Sequence, residues 1–115
     1  MIKINLKVDS RNIIKELVIT GHSGFANKGN DPLCAGVSVL AYSLLFSLGN
    51  IPNIDYIFDD SGIEEGRDNF LIKLLSYDDM VSSEIRGVTI FFVCGIKILS
   101  NNFKKYITFN IEEVK

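Results

Sequence analysis

The chain has 115 residues, which is enough for one domain with its own core but not for two. Apolar residues make up 47% and charged residues 23%, a balance typical of packed globular proteins that argues against disorder. The net charge of -2 gives no sign of general nucleic-acid binding, although a local basic patch stays open.

No pattern in the sequence predicts a membrane-spanning or targeting segment. Its start alternates like a strand, and two cysteines without a signal peptide indicate a reducing, cytoplasmic setting. The longest apolar run, residues 88–99, is broken by Gly95 and Lys97 and is shorter than the roughly 20 residues of a membrane span. We therefore expect a soluble protein that acts away from membranes.

The first half of the chain predicts two strands followed by a helix. Alternating residues over 1–8 predict a strand, and residues 13–20 predict a second strand that pairs back as a hairpin. Asp31 and Pro32 are the residue types of a helix N-cap and a first helical position. An apolar stripe at helical spacing then runs to Gly49, where the helix is expected to end.

The second half predicts two more strands, a second helix and a final strand. The strands are expected at 55–59 and 70–74, joined by a polar turn over 60–67. The helix is expected over about 78–100, and clean alternation around 107–111 predicts the last strand. The order ββαββαβ predicts an α+β domain with a mostly antiparallel sheet and two helices.

The remaining chemistry-bearing residues favour structural roles. The second half of the second helix is apolar nearly all round, so we expect burial in the core or at a subunit contact, with Cys94 as a core residue. The acid pairs Asp59-Asp60 and Asp78-Asp79 are interpreted as solvated turn and helix-start residues. Two cysteines and one histidine do not make a conventional zinc site, so we expect no metal and no cofactor.

His22 and Cys34 are the strongest candidates for catalysis. His22, the only histidine, follows the second predicted strand, and a glycine-containing loop over 23–30 joins it to the first helix. Cys34 falls at the third helical position if Asp31 is the N-cap, where the helix dipole and unpaired N–H groups favour a thiolate. A thiol so placed beside an imidazole is the minimum for nucleophilic catalysis. Packing of a buried Cys34 is the competing interpretation.

Several neighbours are candidates for supporting roles. N-capping alone explains Asp31, and a role in orienting His22 would compete for the same carboxylate. Ser38 lies one turn after Cys34 on the same flank, where it is either solvated or bonded to substrate or imidazole. Gly21 either supplies a turn or serves the site. The candidate substrate-gating loop is formed by Ser23, Gly24, Phe25, Asn27 and Gly29.

The same segment carries a family resemblance. Its matching positions are Gly21, His22, Gly24, Ala26, Gly29, Asp31, Cys34, Ala35, Val37 and Ser38. In this spacing the chain resembles the ribosomal-processing cysteine protease family, often called Prp, over its whole length. The resemblance implies a cytoplasmic, homodimeric bacterial endopeptidase. Such an enzyme removes the N-terminal extension of large-subunit ribosomal protein number twenty-seven, cutting after a pair of aromatic residues.

The resemblance also implies site roles. It makes Cys34 the nucleophile and His22 the general base, and leaves the roles of Asp31 and Ser38 open. By the general logic of acyl transfer, backbone N–H groups of the first helical turn are candidates for the oxyanion hole. The chain departs from the family pattern at Ser23, where a small alanine is usual.

Two other functions stay open at this point. One is a ribosome-associated binding module without catalysis, in which Cys34 is structural. The other is a thiol redox protein, which the sequence supports less because it has no CxxC motif and no second cysteine near Cys34.

Overall fold

The computed structural model describes residues 1–27, 29–61 and 69–115 and has the predicted element order. The strands are β1 (Ile2–Val8), β2 (Ile14–Thr20), β3 (Ile54–Asp59), β4 (Phe70–Tyr77) and β5 (Ile107–Glu113). The helices are α1 (Pro32–Gly49) and α2 (Ser82–Asn102). The predicted α+β fold is confirmed. From residue 62 onward, the predicted polar turn lies outside the described residues.

The five strands form one mixed sheet in the order β3-β4-β2-β1-β5. β1 pairs antiparallel with β2, as the hairpin prediction requires, and β2–β4 and β3–β4 are antiparallel as well. Only the β1–β5 pair is parallel among the described strands. The sheet is therefore mostly antiparallel, and the middle strand β2 delivers the chain to residue 21 beside the start of β1.

The core lies between one face of the sheet and the two helices. Alternation along β1 turns Ile2, Ile4, Leu6 and Val8 inward, while the lysines and asparagine between them stay exposed. The inward side chains join the buried stripes of α1 and α2 in a single apolar cluster. Burying each large aliphatic side chain contributes about 1.5–3 kcal/mol, so this cluster fixes the position of α1 on the sheet.

The helix and strand ends agree with prediction where local signals set them. Asp31 caps α1 and Pro32 is its first residue, as predicted. β4 continues to Tyr77 because its end pairs with Ile54 of β3, a contact that the sequence does not display. A short 3₁₀ turn, Asp79–Val81, precedes α2 and is capped by Asp78.

Cys94 is exposed, so its assignment to the core is wrong. The buried residues of α2 are Ile85, Thr89, Phe92 and Ile96. A residue two positions from both Phe92 and Ile96 is turned by about 200° and faces away from them, because each helical residue advances about 100°.

The face of α2 that carries Cys94 is apolar and uncovered in the single chain. Phe91 is 72% exposed and Ile98 is 63% exposed, and Ile90 lies beside them. In this half of α2, therefore, only the stripe that faces the core is buried. The alternative, a subunit contact, stays a prediction.

α1 has the length and composition of a membrane-spanning helix, with 18 residues and a mean hydropathy of 1.7. Core helices of compact proteins have the same property. In this chain Val37, Leu44 and Leu48 of α1 are buried in the shared apolar cluster. The apolar composition of α1 thus has a structural explanation within the fold.

Candidate active site

The structure brings His22 and Cys34 together. The Cys34 sulfur lies 3.8 Å from Nδ1 of His22, although 12 residues separate them along the chain. Both side chains are half-buried. The pair sits where the end of the central strand β2 meets the start of α1, so the sheet core and the helix fix the two backbones independently.

Gly21 sets the path of the chain into His22. Its φ of +87° is in the left-handed region, which favours glycine. A Cβ built on Gly21 would overlap the carbonyl oxygen of Met1, at the start of β1. The close approach of these two backbones places the imidazole beside the start of α1, so Gly21 has a clear structural reason to lack a side chain.

Cys34 occupies the third position of α1, as the sequence predicts. The Asp31 carboxylate accepts hydrogen bonds from the N–H groups of Leu33 at 2.9 Å and Cys34 at 3.2 Å. Pro32 has no N–H, and Ala35 donates to the Asp31 carbonyl. These first-turn donors are therefore engaged within the protein, and the expectation that they form an oxyanion hole is not supported.

Asp31 also holds the loop that joins the two reactive residues. Its carboxylate accepts a hydrogen bond from the buried Ser23 hydroxyl and another from the N–H of Ala26 at 3.2 Å. The Ser23 hydrogen bond, helped by the N–H groups of Cys34, Ala26 and Leu33, lowers the pKa of Asp31 to about 2 against the opposing effect of burial. Asp31 is thus ionised at neutral pH. The sequence predicted the cap but not the link to Ser23.

Other residues of the predicted gating loop also make hydrogen bonds and ring contacts. Gly24 and Gly29 both have positive φ, as the loop interpretation allowed. The N–H of Asn30 donates to the Asn27 carbonyl at 2.9 Å. The ring of Phe25 is 46% exposed yet stands edge-on to Tyr106, with ring centres 5.3 Å apart. Movement of the loop would break these contacts, and its gating role stays a prediction.

Two hollows meet at the His22–Cys34 pair. The apolar hollow has a volume of about 160 Å³ and is lined by Ile2, Ile19, Gly21, His22, Cys34, Val37, Ser38, Ala41, Tyr42 and Phe70. The second hollow has a volume of about 190 Å³ and is lined by His22, Gly29, Asp31, Cys34, Ala35 and Ser38. A peptide lying across both hollows would pass its backbone over the sulfur. Ser38, exposed on α1, borders both.

Sequence reasoning missed two residues at this site. Tyr42 lines the apolar hollow, and its hydroxyl donates a hydrogen bond to Asp60 at 2.8 Å. Asp60 was expected to be a solvated turn residue. The available signal was the spacing of Cys34, Ser38 and Tyr42, which repeats every four residues and places them along one flank of α1.

The site has the composition of a thiol-dependent centre. Both cysteines are free. Across residues 1–27, 29–61 and 69–115, no three side chains of His, Cys, Asp or Glu come together in a way that could hold a metal ion. A thiol at a helix start, an adjoining imidazole and a hollow on either side are the arrangement of a cysteine peptidase.

Comparison with known proteins gives the family. The family model described as cysteine protease Prp matches residues 1–108. The chain therefore belongs to the Prp family of cysteine proteases and is a peptide hydrolase. A comparison with curated proteins finds no match.

Solved structures share the fold. The ribosomal processing protease Prp from S. aureus, in complex with a covalently linked product peptide, is 18% identical with a TM-score of 0.77, covering 97% of this chain and 100% of that one. The same protease with a substrate peptide has a TM-score of 0.71 at 18% identity and the same coverage. SMU.848 from Streptococcus mutans is 23% identical with a TM-score of 0.73, covering 99% and 96%.

Proposed function

We propose that this chain is a cysteine endopeptidase in which Cys34 is the nucleophile and His22 the general base. Its proposed substrate is the N-terminal extension of large-subunit ribosomal protein number twenty-seven, removed during ribosome assembly in the cytoplasm. The observation that carries the catalytic proposal is the 3.8 Å approach of the Cys34 sulfur to His22 Nδ1. Family membership supports the reaction, and the peptide complexes of S. aureus Prp support the substrate class.

The proposed reaction follows from these two groups. His22 takes the thiol proton, and the Cys34 sulfur attacks the scissile carbonyl carbon to form a tetrahedral intermediate. That intermediate collapses to a thioester as protonated His22 gives its proton to the leaving amine. Water then attacks the thioester with His22 again as base, which releases the new carboxyl end and restores the thiol. The S···N distance is expected to shorten when substrate excludes water.

Asp31 and Gly21 are proposed as positioning residues. Asp31 holds the helix start under Cys34 and the loop that follows His22 through one carboxylate. Gly21 lets β1 and the chain before His22 approach closely. Neither needs to touch substrate in this account, so their variants should alter the reactivity of Cys34 toward a small reagent as well as toward a peptide.

Ser38 is proposed to bind the substrate. Its exposed side chain lies one turn beyond Cys34 and borders both hollows. Because the first-turn N–H groups of Leu33 and Cys34 are engaged by Asp31, a side-chain hydroxyl is the better-placed donor to the peptide or its developing oxyanion. Ser38→Ala should lower kcat by about a hundredfold, the weak end of the losses seen when an oxyanion donor is removed.

The loop formed by Ser23, Gly24, Phe25, Asn27 and Gly29 is proposed to gate the site. It borders the second hollow through Gly29 and contacts Tyr106 through Phe25. Opening would break the Phe25 ring contacts and the backbone hydrogen bond from Asn30 to Asn27, while the Ser23–Asp31 hydrogen bond holds the end nearest His22. Gating of this kind gives low activity on peptides that cannot order the loop.

A homodimer without nucleic-acid or membrane partners is proposed for the assembly. The exposed apolar face of α2, with Phe91 and Ile98, supports a subunit contact there. The balanced charge of the chain is consistent with a protein partner instead of nucleic acid.

Cleavage of a peptide that spans the extension and its junction tests the proposed function. The wild-type chain should cut it at one bond, Cys34→Ser should abolish cleavage, and His22→Ala should lower kcat/KM by about a thousandfold or more. Mass spectrometry of the products locates the bond. The binding-module alternative instead predicts that the wild-type chain and Cys34→Ser hold the peptide equally and release it uncut.

A further inference from the structure

The apolar hollow extends along α1 from the reacting sulfur to Tyr42. Cys34, Ser38 and Tyr42 occupy successive turns of one flank, so Tyr42 lies about 12 Å from Cys34 along the helix axis at about 1.5 Å per residue. Phe70, the first residue of β4, lines the hollow with it. Tyr42 and Phe70 therefore border the end of the hollow that is away from the sulfur.

The Tyr42 side chain is fixed by contacts from β3, from the residue after β3, and from β4. Its hydroxyl donates to Asp60, just beyond β3, at 2.8 Å. Its ring stands edge-on to Phe70 of β4, with centres 5.2 Å apart, and edge-on to Phe58 of β3 at 6.2 Å. Aromatic pairs in this edge-to-face geometry attract each other in addition to the effect of burial. The ring thus has a defined orientation instead of rotating freely at the end of the hollow.

The phenol remains a donor at neutral pH. Burial raises the pKa of Tyr42 above its usual value, and the hydrogen bond to Asp60 and the charge of that carboxylate raise it further. A protonated phenol facing a carboxylate oxygen makes a charge-assisted hydrogen bond, which is stronger than a neutral one. Asp60 is therefore well suited to hold the ring in one place.

We propose that Tyr42 is a specificity-determining residue, and that Asp60 positions it so that the ring limits the size of the substrate side chain bound in the apolar hollow. The lining residues Ile2, Ile19 and Val37 favour an apolar substrate side chain in this hollow. Because the hollow also includes Cys34 and His22, the side chain belongs to a residue at or next to the cleaved bond. This inference rests on the proposed peptidase function and adds to it the residue pair that selects the substrate.

Small covalent reagents test the inference whether or not the ribosomal extension is the substrate. Dipeptidyl chloromethyl ketones alkylate an active-site thiol, and each of their two residues is varied in turn through Ala, Val, Leu, Phe and Trp. Rates are measured by intact mass in a Cys94→Ser background, because Cys94 is exposed. Each rate is divided by the iodoacetamide rate of the same variant, which removes changes in the thiol itself.

Removing the Tyr42 ring should change size preference at one of the two varied residues. For Tyr42→Ala we expect the normalised rate of the Trp reagent relative to the Leu reagent to rise about tenfold, within the range that hydrophobic pockets discriminate. Tyr42→Phe and Asp60→Ala should shift the same ratio in the same direction by a smaller factor. Asp60→Asn retains an acceptor oxygen and should shift it least.

Phe46→Ala is the matched control. Phe46 is also on α1 and its ring contacts Tyr42, with centres 6.1 Å apart, but it is 65% exposed and does not line the hollow. The Phe46→Ala variant should have the same size preference as the wild type. Equal rate changes for all reagents, or an unchanged Trp-to-Leu ratio in both Tyr42→Ala and Tyr42→Phe, would overturn the inference. Failure to cleave the extension peptide, in contrast, would reject the proposed substrate and leave this ratio unaffected.

Discussion

Asp31 has three structural roles at the candidate site. It caps α1, holds the N–H of the candidate nucleophile Cys34, and accepts a hydrogen bond from the loop residue Ser23. The capping role could be predicted because Asp followed by Pro is a local signal. The Ser23 contact could not, since nothing in the sequence tells how an irregular loop folds back on a helix start.

Ser23→Ala should make stability less sensitive to acid. The hydrogen bond from Ser23 is the largest cause of the lowered pKa of Asp31, which is about 2 in the folded chain against an ordinary value of 3.8. A lowered pKa stabilises the fold above the ordinary value, and that contribution is lost as the pH falls toward the folded value. Wild type should therefore exceed Ser23→Ala in Tm above about pH 4, and the gap should narrow toward pH 2.

Thermal unfolding of both chains between about pH 6 and 2 measures this gap. Asp31→Asn is a useful companion because it keeps the capping oxygen but has no ionisation to lose. A difference in Tm that stays constant through the acid range would show that Ser23 stabilises the fold without acting on Asp31.

Gly21→Ala should cost more stability than Gly24→Ala. Both glycines have positive φ, a conformation that costs an alanine about 1–2 kcal/mol. Only at Gly21 would the added methyl also overlap the Met1 carbonyl, whereas the space around Gly24 is open. Urea unfolding should give a lower free energy of unfolding for Gly21→Ala than for its control Gly24→Ala. Gly21→Ala should also lose peptidase activity. Equal destabilisation of the two variants would contradict the close approach of Gly21 to the Met1 carbonyl.

At the scale of elements, predictability follows the range of the contacts involved. The start of α1 and the alternation of β1 depend on neighbouring residues and were predicted. The last residues of β4 and the parallel pairing of β5 with β1 depend on distant partners and were not. Cys94 was misplaced because α2 is apolar on two sides, so composition could not show which side faces the sheet.

Gly95 of α2 packs closely against the Leu40 side chain of α1. A Cβ on Gly95 would lie 2.7 Å from a methyl carbon of Leu40 in α1, whereas one on Gly87, also in α2, would meet nothing within 4 Å. Gly87→Ala should stabilise the chain by up to about 1 kcal/mol through helix propensity. Gly95→Ala should lose most of that gain because Leu40 must move. Urea unfolding compares the two directly, and equal gains would contradict the close packing.

At the scale of the whole molecule, the exposed face of α2 needs an explanation. Phe91 and Ile98 are mostly exposed in the single chain and flank Cys94. Isolated apolar side chains on a surface are ordinary, but a row of them along one helix is typical of an interface. The homodimer proposal gives this face an occupant, and it leaves the flank of α1 that carries Cys34 and Ser38 free in each chain for the proposed substrate.

Phe91→Asp should convert the proposed dimer to a monomer. A charge placed in the centre of an apolar contact is left without a partner and weakens association strongly. Light scattering after size exclusion, at several protein concentrations, gives the mass. Leu75→Asp is the control, because Leu75 is also apolar and, at 55%, exposed, but lies on β4. A wild-type chain that stays monomeric at every concentration would contradict the assembly proposal without touching the site.

The central claim is that His22 activates Cys34, and the rate of Cys34 alkylation by iodoacetamide at neutral pH tests it most directly. The measurement uses the Cys94→Ser background with N-acetylcysteine as the reference thiol. We predict that Cys34, although half-buried, reacts about tenfold or more faster than the reference, and that His22→Ala removes this advantage. An inert Cys34 in the folded chain, or a rate that does not change in His22→Ala, would contradict the account.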